Sequence, residues 1–153
     1  MKPWVAVFGI GLVFFVDVAS ADPLAGTWIL NVGRTHYGGG AERRREETVA
    51  CEAHGKILSC TIKSARIDGK RLVGKFTAAY DGKPYTVAGI PDTDAVILRK
   101  VDEHVVDASF TRKGRPVFGY RAVKSDDGRS LTIVSVSPES RAVLNSVVVY
   151  DRQ

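Results

Sequence analysis

The chain has 153 residues, of which 44% are hydrophobic, 25% charged and 8% aromatic. This length is typical of about one domain, and the composition is globular, which excludes a disordered chain, a collagen and a coiled coil. Its 22 basic and 17 acidic side chains give a formal net charge of +5. This mild excess does not by itself indicate a polyanionic partner.

The N-terminus has the pattern of a secretory signal peptide. Lys2 precedes an apolar stretch over residues 4–16, and Ala19-Ser20-Ala21 supplies the small residues of a signal-peptidase site. The alternative is a membrane anchor, but 13 residues cover only about 20 Å of a roughly 30 Å hydrocarbon core. The sequence therefore predicts a signal peptide over 1–21, a single mature domain over 22–153, and export to the periplasm or beyond the cell, with no membrane span after cleavage.

Beyond residue 25, short β-branched or aromatic segments alternate with turn residues such as Asp-Gly, as in an all-β protein. We predict an antiparallel meander closed into a barrel of about eight to ten strands, because closure removes exposed strand edges. A β-sandwich is the alternative. The predicted strands cover residues 26–31, 45–53, 57–66, 71–80, 84–88, 95–100, 105–113, 116–125, 130–137 and 142–151. Residues 32–41, with three adjacent glycines, are predicted to form an irregular, mobile loop.

The two cysteines test the predicted pairing of strand 45–53 with strand 57–66. If Gly55-Lys56 forms a two-residue turn, Cys51 faces Cys60 on the neighbouring strand, and two apolar pairs, 49 with 62 and 53 with 58, share that face. Directly opposed residues can accept a disulfide. We expect a Cys51–Cys60 disulfide rather than two buried thiols, as an even cysteine count in an exported chain also suggests.

The sequence contains none of the motifs that identify common catalytic or metal sites. There is no nucleophile elbow, zinc-binding helix or phosphate-binding loop, and the three histidines lack the short spacing of metal ligands. The cluster Arg43-Arg44-Arg45 is flanked by Glu42, Glu46 and Glu47, so its charges cancel, which disfavours nucleic-acid binding. We interpret residues 42–47 as a solvated strand start, and we predict no catalytic residue, metal site or cofactor.

The two ends of the mature chain resemble those of the calycin superfamily. Lipocalins and fatty-acid-binding proteins share a Gly-x-Trp on the first strand, here Gly26-Thr27-Trp28, whose indole lies beneath a basic side chain from the last strand. The resemblance implies a lipocalin-like or fatty-acid-binding-protein-like barrel, which Arg152 closes by stacking on Trp28. The chain is most similar to small exported bacterial lipocalin-like proteins of uncharacterised function, which share its segments 26–31, 80–89 and 125–132.

The chain departs from fatty-acid-binding proteins in two respects. Those proteins carry a helical lid between the first two strands, where this chain has its Gly-rich stretch. They also hold the carboxylate of a fatty acid with an Arg-x-Tyr on the last strand, whereas this chain has Val148-Val149-Tyr150.

Binding of a small apolar or amphipathic molecule is the main functional hypothesis. The alternation places five aromatic residues inside the barrel: Phe76, Tyr80, Phe110, Phe118 and Tyr120. A solid core and a cavity are both compatible with this pattern. A cavity is possible because small residues are interspersed among the aromatic ones: Gly74, Ala78, Ala108 and Ala122. Arg66 and Arg112 share the inward parity near strand ends, where they can meet an anionic headgroup or extend into water.

A protein-binding barrel is the second hypothesis. Periplasmic protease inhibitors resemble this chain in size, export, a Gly-x-Trp first strand and one disulfide, and they insert an N-terminal segment into the enzyme. Residues 22–25 are interpreted as such a free terminus. A purely structural barrel is the third possibility.

Overall fold

The structure, a computed structural model, describes residues 21–38, 41–136 and 143–153. The predicted signal peptide, apart from Ala21, lies outside these residues, as do Gly39 and Gly40 of the predicted loop. The predicted ends of the ninth and tenth strands, residues 137 and 142, lie outside them too. The described residues contain no helix long and apolar enough to span a membrane.

Ten antiparallel strands form one closed barrel, in which each strand pairs with its neighbours in sequence and the first pairs with the last. The strands are β1 (Gly26–Leu30), β2 (Arg44–His54), β3 (Ile57–Arg66), β4 (Arg71–Ala79), β5 (Asp81–Ala88), β6 (Ala95–Lys100), β7 (Val105–Arg112), β8 (Arg115–Lys124), β9 (Ser130–Val136) and β10 (Val143–Arg152). The all-β meander barrel is confirmed, and the alternative sandwich is wrong.

The β2–β3 hairpin has the register that its turn predicts. His54 pairs with Ile57 across Gly55-Lys56, and Cys51 pairs with Cys60. The predicted apolar partners, 49 with 62 and 53 with 58, also face one another. Cys51 and Cys60 form the predicted disulfide.

β5 begins three residues earlier than the sequence predicts. The pairing of β5 with β6 shifts register between Asp81 and Pro84. Such a bulge lets a strand continue past a proline, which cannot donate to the ladder. Gly89 ends β5 with φ +75°, and a Cβ there would lie 1.9 Å from the carbonyl oxygen of Val73, so the close approach of β4 requires glycine.

Several described residues of the predicted irregular stretch 32–41 have regular structure. Val32–Arg34 form one turn of 3₁₀ helix, capped by the Asn31 side chain. His36 then forms an isolated bridge to Val147 of β10. The described residues between β1 and β2 contain no α-helix.

The two ends of the barrel differ. Toward the closed end, where β1 starts and β10 finishes, the interior contains side chains that are 0% exposed: Trp28, Leu58, Ala78, Leu98, Val106, Ala108 and Ala122. At the open end lie the loops 67–70, 89–94 and 113–114. Buried side chains therefore fill much of the interior toward the closed end, and the remaining space opens at the other end.

Candidate functional site

A cavity of about 900 Å³ lies inside the barrel. Its apolar lining comes from almost every strand and reaches the closed end at Leu24 and Trp28: Val49, Ile62, Leu72, Phe76, Ile90, Phe110, Phe118, Leu131, Ile133, Val136 and Val148. The barrel thus contains both a cavity and a filled core, at different positions along its axis. Ala78, Ala108 and Ala122, which the sequence analysis took to create space, instead belong to the filled core and do not line the cavity.

Four of the five predicted aromatic residues form one wall of the cavity. The ring of Phe110 stacks on Phe118, with centroids 4.5 Å apart, and meets Phe76 edge-on at 6.3 Å. The ring of Tyr120 is tilted against Phe110 at 5.9 Å. Phe118 is 38% exposed, so this wall reaches from the buried core to the open end.

Tyr80, the fifth predicted aromatic residue, does not line the cavity. Its hydroxyl donates a hydrogen bond to Oδ1 of Asp22, 2.9 Å away. Burial, followed by the charge of Asp22, raises the pKa of Tyr80 well above its ordinary value. The residue follows β4 at the closed end, where its role is to hold the N-terminal segment.

The two predicted rim arginines are both paired with carboxylates. Arg66 lines the cavity and forms ion pairs with Glu42 and, at 3.2 Å, with Asp68. Arg112 does not line the cavity; its guanidinium lies outside, 2.6 Å from Asp92. Neither guanidinium is therefore free of a protein carboxylate, which weakens the expectation that they hold an anionic headgroup.

Trp28 and Arg152 face each other across the β1–β10 pair. The guanidinium carbon of Arg152 lies 5.5 Å from the centroid of the Trp28 ring, the stacked arrangement that the resemblance implies. The indole Nε1 donates a hydrogen bond of 2.9 Å to the carbonyl oxygen of Leu24. These contacts close the barrel at this end.

The N-terminal segment is not free, contrary to the sequence analysis. Pro23 is less than 2% exposed and Leu24 is 4% exposed. Leu24 also lines the inner end of the cavity. Burying the apolar side chains of this segment against the closed end is lower in free energy than leaving them in water.

The cavity wall contains a polar cluster that was not predicted from the sequence. Glu47, which is 6% exposed, accepts hydrogen bonds on Oε1 from the Arg44 guanidinium and from the Tyr150 hydroxyl. Arg44 also donates to the Tyr150 hydroxyl at 3.3 Å. All three residues line the cavity, so the interpretation of Arg44 and Glu47 as part of a solvated strand start is wrong.

A bulge places Arg44 beside Glu47. The pairing of β2 with β3 shifts register between Arg44 and Glu46, so Arg44 and Glu47 lie on the same face although three residues apart. The signal for Glu47 was present in the sequence, because it shares the parity of the inward residues Val49 and Cys51. The bulge itself had no local signal.

The electrostatics of the cluster reflect its burial. Desolvation lowers the pKa of Arg44, but the neighbouring Glu47, Tyr150 and Tyr37 together outweigh it, and the pKa lies above its ordinary value. Burial and then the charge of Glu47 raise the pKa values of Tyr150 and Tyr120. Both phenols therefore keep their protons at neutral pH, and Arg44 keeps its positive charge.

Cys51 and Cys60 also line the cavity, so the disulfide forms part of its wall. Within the described ranges, no group of three His, Cys, Asp or Glu side chains is placed to hold a metal ion.

No protein-family model, curated protein or solved structure matches the chain.

Proposed function

We propose that this chain is an exported barrel that binds a small, largely apolar molecule inside its cavity. The observation that carries the proposal is the cavity of about 900 Å³, with aliphatic and aromatic walls, a buried polar cluster and charged side chains at the rim. Small-molecule sites commonly combine such volume and apolar lining with a few placed polar groups.

Export is part of the same proposal. It is supported by the charged and apolar pattern of residues 1–21 and by the disulfide, which is typical of oxidising compartments. Expression in an exporting host and intact-mass analysis test it. A measured mass equal to that of a chain beginning at Asp22 supports the proposal, whereas a mass that includes residues 1–21 contradicts it.

Membership of the calycin superfamily is likewise proposed. It is supported by the Gly26-Thr27-Trp28 start and by the Arg152 guanidinium over the Trp28 ring. A ten-stranded meander alone is a weaker argument, since closed barrels of this kind can serve different functions.

Native mass spectrometry of protein purified without detergent from an exporting host tests ligand binding. We expect an additional mass that disappears on denaturation. Ile62→Trp, which fills the cavity, should abolish it, while Thr61→Trp on the outer face of the same strand should retain it. Circular dichroism must show both variants folded. A bare protein mass under these conditions would argue for a barrel that acts through its surface or is purely structural.

Protease inhibition by an inserted N-terminal segment has less support. That mechanism needs residues 22–25 to be available, but the Tyr80 hydroxyl and the Trp28 indole both hydrogen-bond to this segment. Inhibition would require breaking both contacts and exposing Leu24.

A further inference from the structure

Glu47 is a buried hydrogen-bond acceptor in the cavity wall, and a protein that binds carboxylic acids would need donors there instead. Its Oε1 atom accepts hydrogen bonds from both Arg44 and Tyr150. An arginine and a tyrosine are the donors with which a protein can hold the carboxylate of a ligand. Here a carboxylate of the chain itself engages both donors.

A ligand carboxylate would therefore meet an unfavourable site at the polar cluster. It would lie beside the charge of Glu47, in a wall where water does not screen the repulsion well. At the open end, both Nη atoms of Arg66 and the guanidinium of Arg112 are already paired with acidic side chains, while the buried Nε of Arg66 has no hydrogen-bond partner among the described residues. Lys70 and Arg71 also line the rim, but both are exposed, and a charge in water contributes little binding energy.

The second carboxylate oxygen of Glu47 determines which ligand group would bind best at the polar cluster. Oε2 forms no hydrogen bond with the residues that the structure describes, whereas Oε1 has two donors. An acceptor facing an apolar cavity is satisfied by a ligand that donates a hydrogen bond. A hydroxyl group donates without adding charge, while an ammonium would leave one net positive charge inside the barrel, because Arg44 already balances Glu47.

Resting on the proposed function, we propose that the cavity selects neutral, hydroxyl-bearing apolar molecules and discriminates against carboxylic acids through the Arg44–Glu47–Tyr150 cluster. The apolar body of the ligand occupies the space between the aromatic wall and the aliphatic side chains. Its hydroxyl donates to Glu47.

Three probes of equal chain length test this selectivity: 1-decanol, decanoate and decylamine, each below its aggregation concentration. The probe signal is the fluorescence of Trp28, which lines the cavity and is the only tryptophan in a chain that begins at Asp22. We expect 1-decanol to bind the wild-type protein at least about tenfold more tightly than either charged probe, the ratio that about 1.4 kcal/mol produces.

Glu47→Gln identifies the group responsible. It removes the negative charge and leaves the Arg44 charge uncompensated, so decanoate binding should strengthen by about tenfold or more and the preference for 1-decanol should narrow or reverse. Glu52→Gln is the matched control, since it makes the same change on the same strand at an exposed side chain that does not line the cavity. It should leave the order of the probes unchanged.

The outcomes separate the two proposals. If none of the three probes binds the wild-type protein, the proposed function fails and the selectivity with it. If decanoate binds as tightly as 1-decanol, or if both glutamine variants change the ratio equally, only the selectivity is overturned. The order of the three probe affinities in the wild-type protein tests the selectivity even if Glu47→Gln fails to fold.

Discussion

Replacing Trp28 with alanine should remove the main contact that closes the barrel. The indole is 0% exposed, donates a 2.9 Å hydrogen bond to the Leu24 carbonyl oxygen and lies under the Arg152 guanidinium. It therefore connects β1, β10 and the N-terminal segment. The alanine variant loses the buried ring, the hydrogen bond and the stacked guanidinium at once.

The expected loss can be assembled from these contacts. Truncating a buried aromatic side chain to alanine costs about 3 to 5 kcal/mol. The Leu24 carbonyl, left without its donor, adds about 1 kcal/mol or more, and the stacked guanidinium contributes about 0.5 to 1 kcal/mol. A loss of about 4.5 to 7 kcal/mol is a large part of the roughly 5 to 15 kcal/mol that stabilises a typical domain.

Denaturant unfolding of the chain from Asp22, followed by far-UV circular dichroism, measures this loss. Trp28→Phe keeps a buried ring but loses the indole donor, so we expect an intermediate loss of about 1 to 3 kcal/mol. Ile29→Ala is the control on the same strand, because its side chain is 40% exposed. A loss below about 1 kcal/mol for Trp28→Ala, small compared with the cost of a buried aromatic, would refute the assignment of Trp28 as the closing residue.

Three further changes test other parts of the barrel. Replacing both disulfide cysteines with serine should lower the free energy of unfolding by about 2 to 3 kcal/mol for so short a loop; an unchanged Tm under oxidising conditions would contradict the bridge. Gly89→Ala should lower the Tm far more than Gly55→Ala, because both have positive φ but only the first places a Cβ against a β4 carbonyl; equal effects would argue against this steric constraint. Replacing the whole polar cluster, with Arg44→Met, Glu47→Leu and Tyr150→Phe, should leave the Tm unchanged or raise it, since apolar replacements of buried ion pairs are often tolerated; a large loss would assign the cluster a structural role.

The strands could be predicted because their signals are local. Alternation with period two identifies an inward face, and turn residues identify where each strand ends. The turn Gly55-Lys56 fixes the pairing of Cys51 with Cys60 and of the residues on either side, so one local assumption determined a whole hairpin. The closed topology followed from the number of consecutive hairpins, since a meander of this length leaves two edges unless they pair.

The cavity was harder to predict because it depends on contacts between strands distant in sequence. Ala78, Ala108 and Ala122 have the small side chains that suggest space, but larger neighbours such as Leu58 and Leu98 fill the barrel around them. Composition along one strand does not reveal how side chains from opposite walls fit together. Glu47 was misassigned for a related reason: its acidic neighbours suggested solvent, whereas its parity with Val49 indicated the interior.

The distribution of polarity in the barrel favours a binding role over a purely structural one. Filling the closed end with Trp28, Leu58 and Leu98 stabilises the fold by burial, as in any barrel. A buried Arg44–Glu47 pair does the opposite, because two desolvated charges seldom stabilise a protein more than apolar side chains of the same volume would. A carboxylate that lines a hollow, apolar space, with one oxygen satisfied by the chain, has a physical purpose if the other oxygen meets a ligand.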